Sequence, residues 1–160
     1  MLKNLFTLLI AFSLSRAELL FPENGMVLNY THVLFQWEQE PNAVGYNLQV
    51  LDQSFNVILN IENLTTTYID GSTFDWNSTY YVKVRPLYNS GINGDWSDLL
   101  IFIIGESLPS SELNIDLYNN ELIQEGMIMF SQVSPDFGII IIDKFGNQIW
   151  NTEYAYINNW

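Results

Sequence analysis

Short runs of alternating apolar and polar residues, separated by turn-forming residues, recur along the chain from residue 18 to residue 104. In residues 33–37 an apolar side chain occupies positions 33, 35 and 37, and residues 46–50 and 80–84 show the same spacing. A period of two is typical of a β-strand that buries one face. Turns such as Pro-Glu-Asn-Gly at 22–25 separate the runs. About seven strands at this spacing predict an all-β fold, a sandwich of two sheets.

A polar, proline-containing stretch at 105–111 follows and is predicted to be a linker. Apolar runs at 127–130 and 139–142 predict two more strands, and Gln-Ile-Trp at 148–150 predicts the start of a third. Three strands cannot hide their edges or close a core by themselves. We therefore expect residues 112–160 to be the truncated start of a larger domain. The alternative is a C-terminal extension that packs on the sandwich.

The first seventeen residues have the features of a signal peptide. Lys3 supplies the positive start, residues 5–14 are apolar, and Ser15 and Ala17 are small residues at −3 and −1 of a cut before Glu18. The apolar run is shorter than the roughly 20 residues of a membrane-spanning helix. We expect cleavage after Ala17, no stable membrane insertion, and a secreted, periplasmic or cell-surface protein. An uncleaved anchor and a buried strand are the alternatives.

The charge and the cysteine content limit the partners that the protein can have and the bonds that can hold its fold. The chain has 18 acidic and 5 basic residues, a formal net charge of −13, and no cysteine. An acidic surface repels nucleic acid, so we expect no nucleic-acid partner. Without disulfides the core must hold the fold unaided.

Several stretches within residues 18–104 carry a family resemblance. They are Pro-Glu-Asn-Gly at 22–25, Phe-Gln-Trp at 35–37, residues 43–50, residues 74–84, and the Gly91, Gly94 and Trp96-Ser97 cluster before Phe102. In this order they resemble the fibronectin type III domain of bacterial exported proteins. The resemblance implies a seven-stranded sandwich, with residues 96–104 as its last strand. We expect its core to contain Phe35, Trp37, Tyr46, Leu48, Val50, Phe74, Tyr80, Val82, Val84, Trp96 and Phe102.

Tyr80, six residues after Phe74, fits a tyrosine corner, in which the hydroxyl bonds back to the backbone. The sequence departs from the family at Trp76, where proline is frequent. An immunoglobulin domain would place a disulfide beside the tryptophan of its core, so the absence of cysteine disfavours that relative.

The second segment is similar to the opening of an arylsulfotransferase-type β-propeller. The relevant stretches are EGMIMFS at 125–131, the apolar run at 139–142, and DKFGNQIW at 143–150. Such Asp-x-x-Gly turns also occur in other propeller repeats, so a different propeller is an alternative. In that family a histidine carries the sulfuryl group between phenolic donor and acceptor. The one histidine here, His32, does not match that position, and the resemblance assigns no catalytic, cofactor-binding or metal residue.

Several other residues fit either a ligand site or an ordinary structural role. Metal sites need three or four ligands, and the chain has one histidine and no cysteine. We therefore expect His32 to be an ordinary residue at the edge of a strand. Aspartates in turns could bind calcium, yet aspartate is also favoured there for its backbone hydrogen bonds; they are Asp70, Asp75, Asp95 and Asp98. Tyr81, Lys83 and Arg85 share one strand face, which indicates a recognition patch or an ordinary polar face. Asn-x-Ser/Thr sequons lie at Asn29, Asn63 and Asn77.

These features favour a non-catalytic accessory sandwich at the front of an exported arylsulfotransferase-like protein. Its partner is then an unknown protein or glycan, or its own downstream propeller. The alternatives are a surface adhesion or polysaccharide-associated protein and a stand-alone secreted binding protein.

Overall fold

The computed structural model describes residues 16–108, 126–132 and 138–152. The predicted signal peptide, apart from Arg16 and Ala17, lies outside these residues, as do parts of the predicted linker and of the segment at 112–160. The described residues form strands, turns and one short 3₁₀ turn, which confirms the all-β class. None of their helical segments is long and apolar enough to cross a bilayer.

Nine strands make up the first part of the chain, with the 3₁₀ turn at Asn89–Gly91. They are β1 Leu19–Phe21, β2 Met26–Leu28, β3 Val33–Trp37, β4 Gly45–Leu51, β5 Val57–Asn63, β6 Thr67–Asp70, β7 Ser78–Tyr88, β8 Ile92–Asn93 and β9 Leu100–Ile104. The count exceeds the seven predicted, since two very short strands, β2 and β8, are present as well. A second group contains β10 Ile128–Gln132, β11 Gly138–Ile142 and β12 Gln148–Asn151.

The nine strands form two sheets. One has the order β1-β3-β6, and the other has the order β2-β9-β7-β4-β5 with β8 beside β7. All pairs are antiparallel except β2 with β9, which is parallel. The third sheet, β10-β11-β12, is antiparallel and joins sequence neighbours.

Aromatic rings from both sandwich sheets meet in the core. Phe35 of β3 packs 5.8 Å from Phe102 of β9, and Trp37 packs 5.6 Å from Tyr46. Ten of the eleven residues predicted for the core are buried, namely Phe35, Trp37, Tyr46, Leu48, Val50, Phe74, Tyr80, Val82, Val84 and Phe102.

Trp96 is the exception, and its placement in the core is corrected. The last strand begins at Leu100 instead of residue 96. Gly94 and Ser97 donate backbone hydrogen bonds to Pro86 and Val84 of β7 at 2.8 and 2.7 Å. The half-buried Trp96 between them lies over side chains on the outer face of the sheet.

Two tyrosine hydroxyls tie loops to the core. The backbone N–H of Asp75 donates to the Tyr80 hydroxyl at 2.9 Å, which is the geometry of the predicted corner. The backbone N–H of Glu40 donates to the Tyr46 hydroxyl at 2.8 Å in the same manner. In both cases the ring is buried while the hydroxyl satisfies a loop donor, which fixes the approach of that loop to the strand.

The start of the described chain is packed against the sandwich. Ala17 is fully buried and joins the core cluster. Arg16 forms a bidentate ion pair with Asp98, with N–O distances of 2.6 and 2.9 Å. The Glu38 N–H donates to the Glu18 carbonyl at 2.8 Å. The sandwich therefore incorporates the residues on both sides of the predicted cleavage point.

Candidate docking interface

The last strand of the third sheet pairs with the connection between β2 and β3 of the sandwich. Tyr30 and Trp150 form an antiparallel bridge. The Thr31 N–H donates to the Ile149 carbonyl at 3.0 Å, and the Asn151 N–H donates to the Asn29 carbonyl at 3.0 Å. β12 thus has two partners, β11 on one side and residues 29–31 of the sandwich on the other. We call this contact the docking interface.

Asparagine side chains reinforce the backbone pairing. The Asn29 amide donates to the Asn151 carbonyl. The Asn151 amide, which is fully buried, donates to the Glu106 carbonyl at 3.0 Å. Burying an amide is costly unless its groups are hydrogen-bonded, so these bonds are needed for the interface to close.

Trp76 contributes the third contact. Its indole N–H donates to the Gln148 carbonyl at 2.8 Å. This is the position at which the sequence departs from the fibronectin type III pattern. The side chain also packs partly buried against the sandwich core, so it contacts both bodies.

A second, apolar contact involves β11. Leu108, just after the sandwich, is buried with Ile140 and Ile142. A Cβ atom at Gly138 would lie 2.6 Å from Leu108 Cδ1, so the glycine permits this close approach. Leu108, within the predicted linker at 105–111, therefore takes part in packing.

A groove of about 610 Å³ lies beside the interface. Its lining includes Ser72, Trp76, Asp143, Phe145 and Asn147. Its lining mixes polar and apolar side chains, and no three His, Cys, Asp or Glu side chains of the described residues are arranged to hold a metal ion. Nothing in its lining joins a nucleophile to a base.

Asp143 caps the turn between β11 and β12. Its carboxylate accepts hydrogen bonds from the N–H groups of Phe145 and Asn147, both at 2.8 Å, and from the Asn147 amide at 2.9 Å. Partial burial works against ionisation, but these hydrogen bonds and the nearby His32 outweigh it and hold the pKa of Asp143 below its usual range. His32 thus lies near this turn, also against Gly71, with no second histidine.

The same cap is found in the hairpin between β4 and β5. Asp52 accepts from the N–H groups of Ser54 and Asn56 at 2.8 and 2.9 Å, and from the Asn56 amide at 2.9 Å. The Asn56 bonds, first the side chain and then the backbone, lower the pKa of Asp52. The residue before each asparagine has a positive φ, 62° at Phe55 and 87° at Gly146. The two loops are therefore one turn type built from Asp-x-x-x-Asn.

The structure does not bring the four candidate calcium ligands together. Asp70 is buried and caps the N–H groups of Ser72 and Thr73 at 3.1 and 2.8 Å. Asp98 pairs with Arg16, Asp75 belongs to the tyrosine corner, and Asp95 is exposed. Of the four, Asp70 has the contacts of a turn cap and Asp98 those of an ion pair.

Tyr81, Lys83 and Arg85 share the outer face of β7, as the sequence predicted. The structure adds Trp96, whose ring lies 4.6 Å from the Lys83 ammonium and 4.4 Å from the Arg85 guanidinium. Phe55 stacks on Tyr81 with ring centroids 4.7 Å apart. We call these five residues the outer-face patch.

No protein-family model matches the sequence, and no curated protein sequence matches it. Among solved structures, the chain is similar to the crystal structure of an Fn3-like protein from Clostridium thermocellum, with 20% sequence identity and a TM-score of 0.44. The match covers 61% of this chain and 99% of that chain. The two sheets, their order and their shared core define the sandwich independently of this match.

Proposed function

We propose that residues 18–104 form a non-catalytic, fibronectin type III-like accessory module that docks and orients the β-sheet following it in the chain. The observation that carries this proposal is the pairing of β12 with residues 29–31. Docking by strand addition gives the second sheet a fixed register on the sandwich, because each backbone bond specifies one partner.

The second sheet, β10-β11-β12, gains stability from such a partner. An isolated sheet of three strands has only marginal stability in water. The interface supplies hydrogen bonds from Thr31, Asn151, Asn29 and Trp76, and each contributes about 0.5–1.5 kcal/mol net. Together, several such bonds raise the stability of the three-stranded sheet above this marginal level.

We further propose that the docked sheet opens an arylsulfotransferase-like β-propeller in an exported parent protein. The antiparallel β10-β11-β12 order, with each strand beside its sequence neighbour, is compatible with part of a propeller blade. Met127, Ile128 and Met129 at β10 are all more than half exposed, which favours cover by further chain. In this proposal later blades of the propeller catalyse sulfuryl transfer, and the sandwich docks and orients the first sheet.

Hydrogen–deuterium exchange tests the docking role. The variant pair Trp76→Phe and Asn29→Ala removes two side-chain donors from the interface while leaving the backbone bridge in place. At about 0.5–1.5 kcal/mol per bond, the amides of β11 and β12 should exchange about 5- to 150-fold faster. The matched control carries Trp96→Phe and Asn93→Ala, which lie outside the interface. Unchanged protection of β11 and β12 in the first variant would refute docking.

A separate assay tests the enzyme to which the module is assigned. The parent protein, incubated with 4-nitrophenyl sulfate and a phenol, should release 4-nitrophenol only when the acceptor phenol is present. Absence of transfer would remove the sulfotransferase assignment and leave the docking result intact.

A further inference from the structure

The outer-face patch concentrates positive charge on a strongly acidic protein. The chain carries 18 acidic and only 5 basic residues, and two of those five, Lys83 and Arg85, are neighbours on β7. They lie two positions apart on one face of a strand, a separation of roughly 7 Å. Within the described residues, no carboxylate lies within 4 Å of either cation, and the ion pair that is present joins Arg16 to Asp98.

Stacking holds both cations in place without neutralising them. Trp96 covers the two positive groups at 4.4–4.6 Å, well within cation–π range. Its loop is fixed by the Val84 N–H, which donates to the Ser97 hydroxyl at 3.0 Å, and by the Ser97 N–H, which donates to the Val84 carbonyl at 2.7 Å. The patch is therefore organised before any ligand arrives, which lowers the entropic cost of binding.

The Arg85 side chain is half-buried, and its Nε is buried without a hydrogen-bond partner among the described residues, so a ligand must reach the terminal nitrogens of the guanidinium. A guanidinium binds carboxylate and other oxyanions through two parallel N–H donors. Asn47 and Gln49 of β4 lie directly opposite Arg85 and Lys83 in the sheet, and their amides already donate to the Asn60 side chain.

We propose that the outer-face patch binds an anionic polysaccharide. Its acidic groups would pair with Lys83 and Arg85, and its sugar rings would stack on the exposed side of Phe55, which is 58% exposed. A flat sheet face offers little enclosure to one small anion. A polymer overcomes this through repeated weak contacts along its length.

The sheet geometry favours a glycan over an acidic peptide. A peptide that binds by strand addition needs a free sheet edge, and the terminal strands of this sheet are β2 and β5. An added strand would lie three strand spacings from β7, about 14 Å away from the two cations. The cations occupy the face of the sheet, where the strand backbones already pair with their neighbours.

Calorimetric titration of the full chain with polygalacturonate tests the proposal, with dextran sulfate as a second polyanion and neutral dextran as the uncharged control. Salt of about 0.1 M limits repulsion by distant acidic residues to about 10 Å. The double variant Lys83→Gln and Arg85→Gln should weaken binding at least about tenfold. The matched control is Lys144→Gln, because Lys144 also lies over an aromatic ring, 5.2 Å from Phe145, but outside the patch.

Binding to either polyanion that is lost in the double variant and kept in Lys144→Gln supports the proposal, and the polyanion bound identifies carboxylate or sulfate chemistry. No binding to either polyanion overturns it. Equal loss in the control variant overturns it too, since the attraction would then be general. Tighter binding of polyglutamate than of both glycans would overturn the glycan assignment in favour of an acidic peptide. Thermal melting of each variant separates loss of the site from loss of the fold.

Discussion

Replacing Trp37 by alanine should destabilise the sandwich strongly. The side chain is 2% exposed and its ring packs edge-on against Tyr46. Truncating a large buried aromatic residue costs about 3–5 kcal/mol. The indole Nε1 of Trp37 is buried without a partner among the described residues, and such an unsatisfied donor costs about 1–3 kcal/mol. The substitution removes that donor as well, so we expect a loss at the lower end, about 3 kcal/mol.

Trp96→Ala is the matched control, since the same side chain is removed from outside the core. It should lose only the exposed stacking on Lys83 and Arg85, about 1–2 kcal/mol in all. Urea unfolding of the full chain, followed by far-ultraviolet circular dichroism, measures both. Trp37→Phe, which keeps most of the ring volume, should recover most of the stability if Trp37→Ala is too unstable to measure. Equal losses for the two alanine variants would refute the placement of Trp37 between the sheets.

Three further predictions concern the corner, a turn and the docking interface. Tyr80→Phe keeps the packed ring but leaves the Asp75 N–H without its acceptor, so the unfolding free energy should fall by about 1 kcal/mol; an unchanged urea midpoint would contradict the corner. Because the pKa of Asp143 is held low, its ionised form stabilises the fold at neutral pH, and this contribution is lost as the pH falls through the folded-state pKa. Asp143→Asn should therefore flatten the acid side of the curve of melting temperature against pH, and a curve identical to that of the unmodified chain would exclude this role. Glycosylation at Asn29 in a eukaryotic host should speed amide exchange in β12, while a glycan at the exposed Asn77 should leave it unchanged; protection that survives a glycan on Asn29 would place that residue outside the interface.

Elements whose signals lie in neighbouring residues could be predicted from the sequence. β3 spans residues 33–37, as its alternation predicted, and the turn after β11 follows from Asp143, Gly146 and Asn147. The corner at Tyr80 was also predictable, because its spacing from Phe74 is local. The equivalent role of Tyr46 was missed, although its place after a proline-containing turn is a comparable signal.

Contacts between distant segments left no such signal. Asn29 and Asn151 are 122 positions apart, and nothing in the periodicity of either segment indicates the other. The error at Trp96 has a similar origin. In the sequence, Trp96 directly precedes an apolar strand, which is compatible with a place in the core. The hydrogen bonds of Ser97 to β7 place the Trp96 ring on the outer face of the sheet.

The burial of Ala17 would restrict when a peptidase could cut the proposed leader from the chain. A peptidase must bind several residues of its substrate in extended form around the bond it cuts, and Ala17 is inaccessible once the sandwich has formed. Leu19, two residues further on, already belongs to β1 and is buried as well. If a leader is cut from the chain at this bond, as we propose, the cut must precede folding of the sandwich. A leader peptidase added to the folded chain should leave the bond after Ala17 intact, whereas the same enzyme added during refolding from urea should cut it.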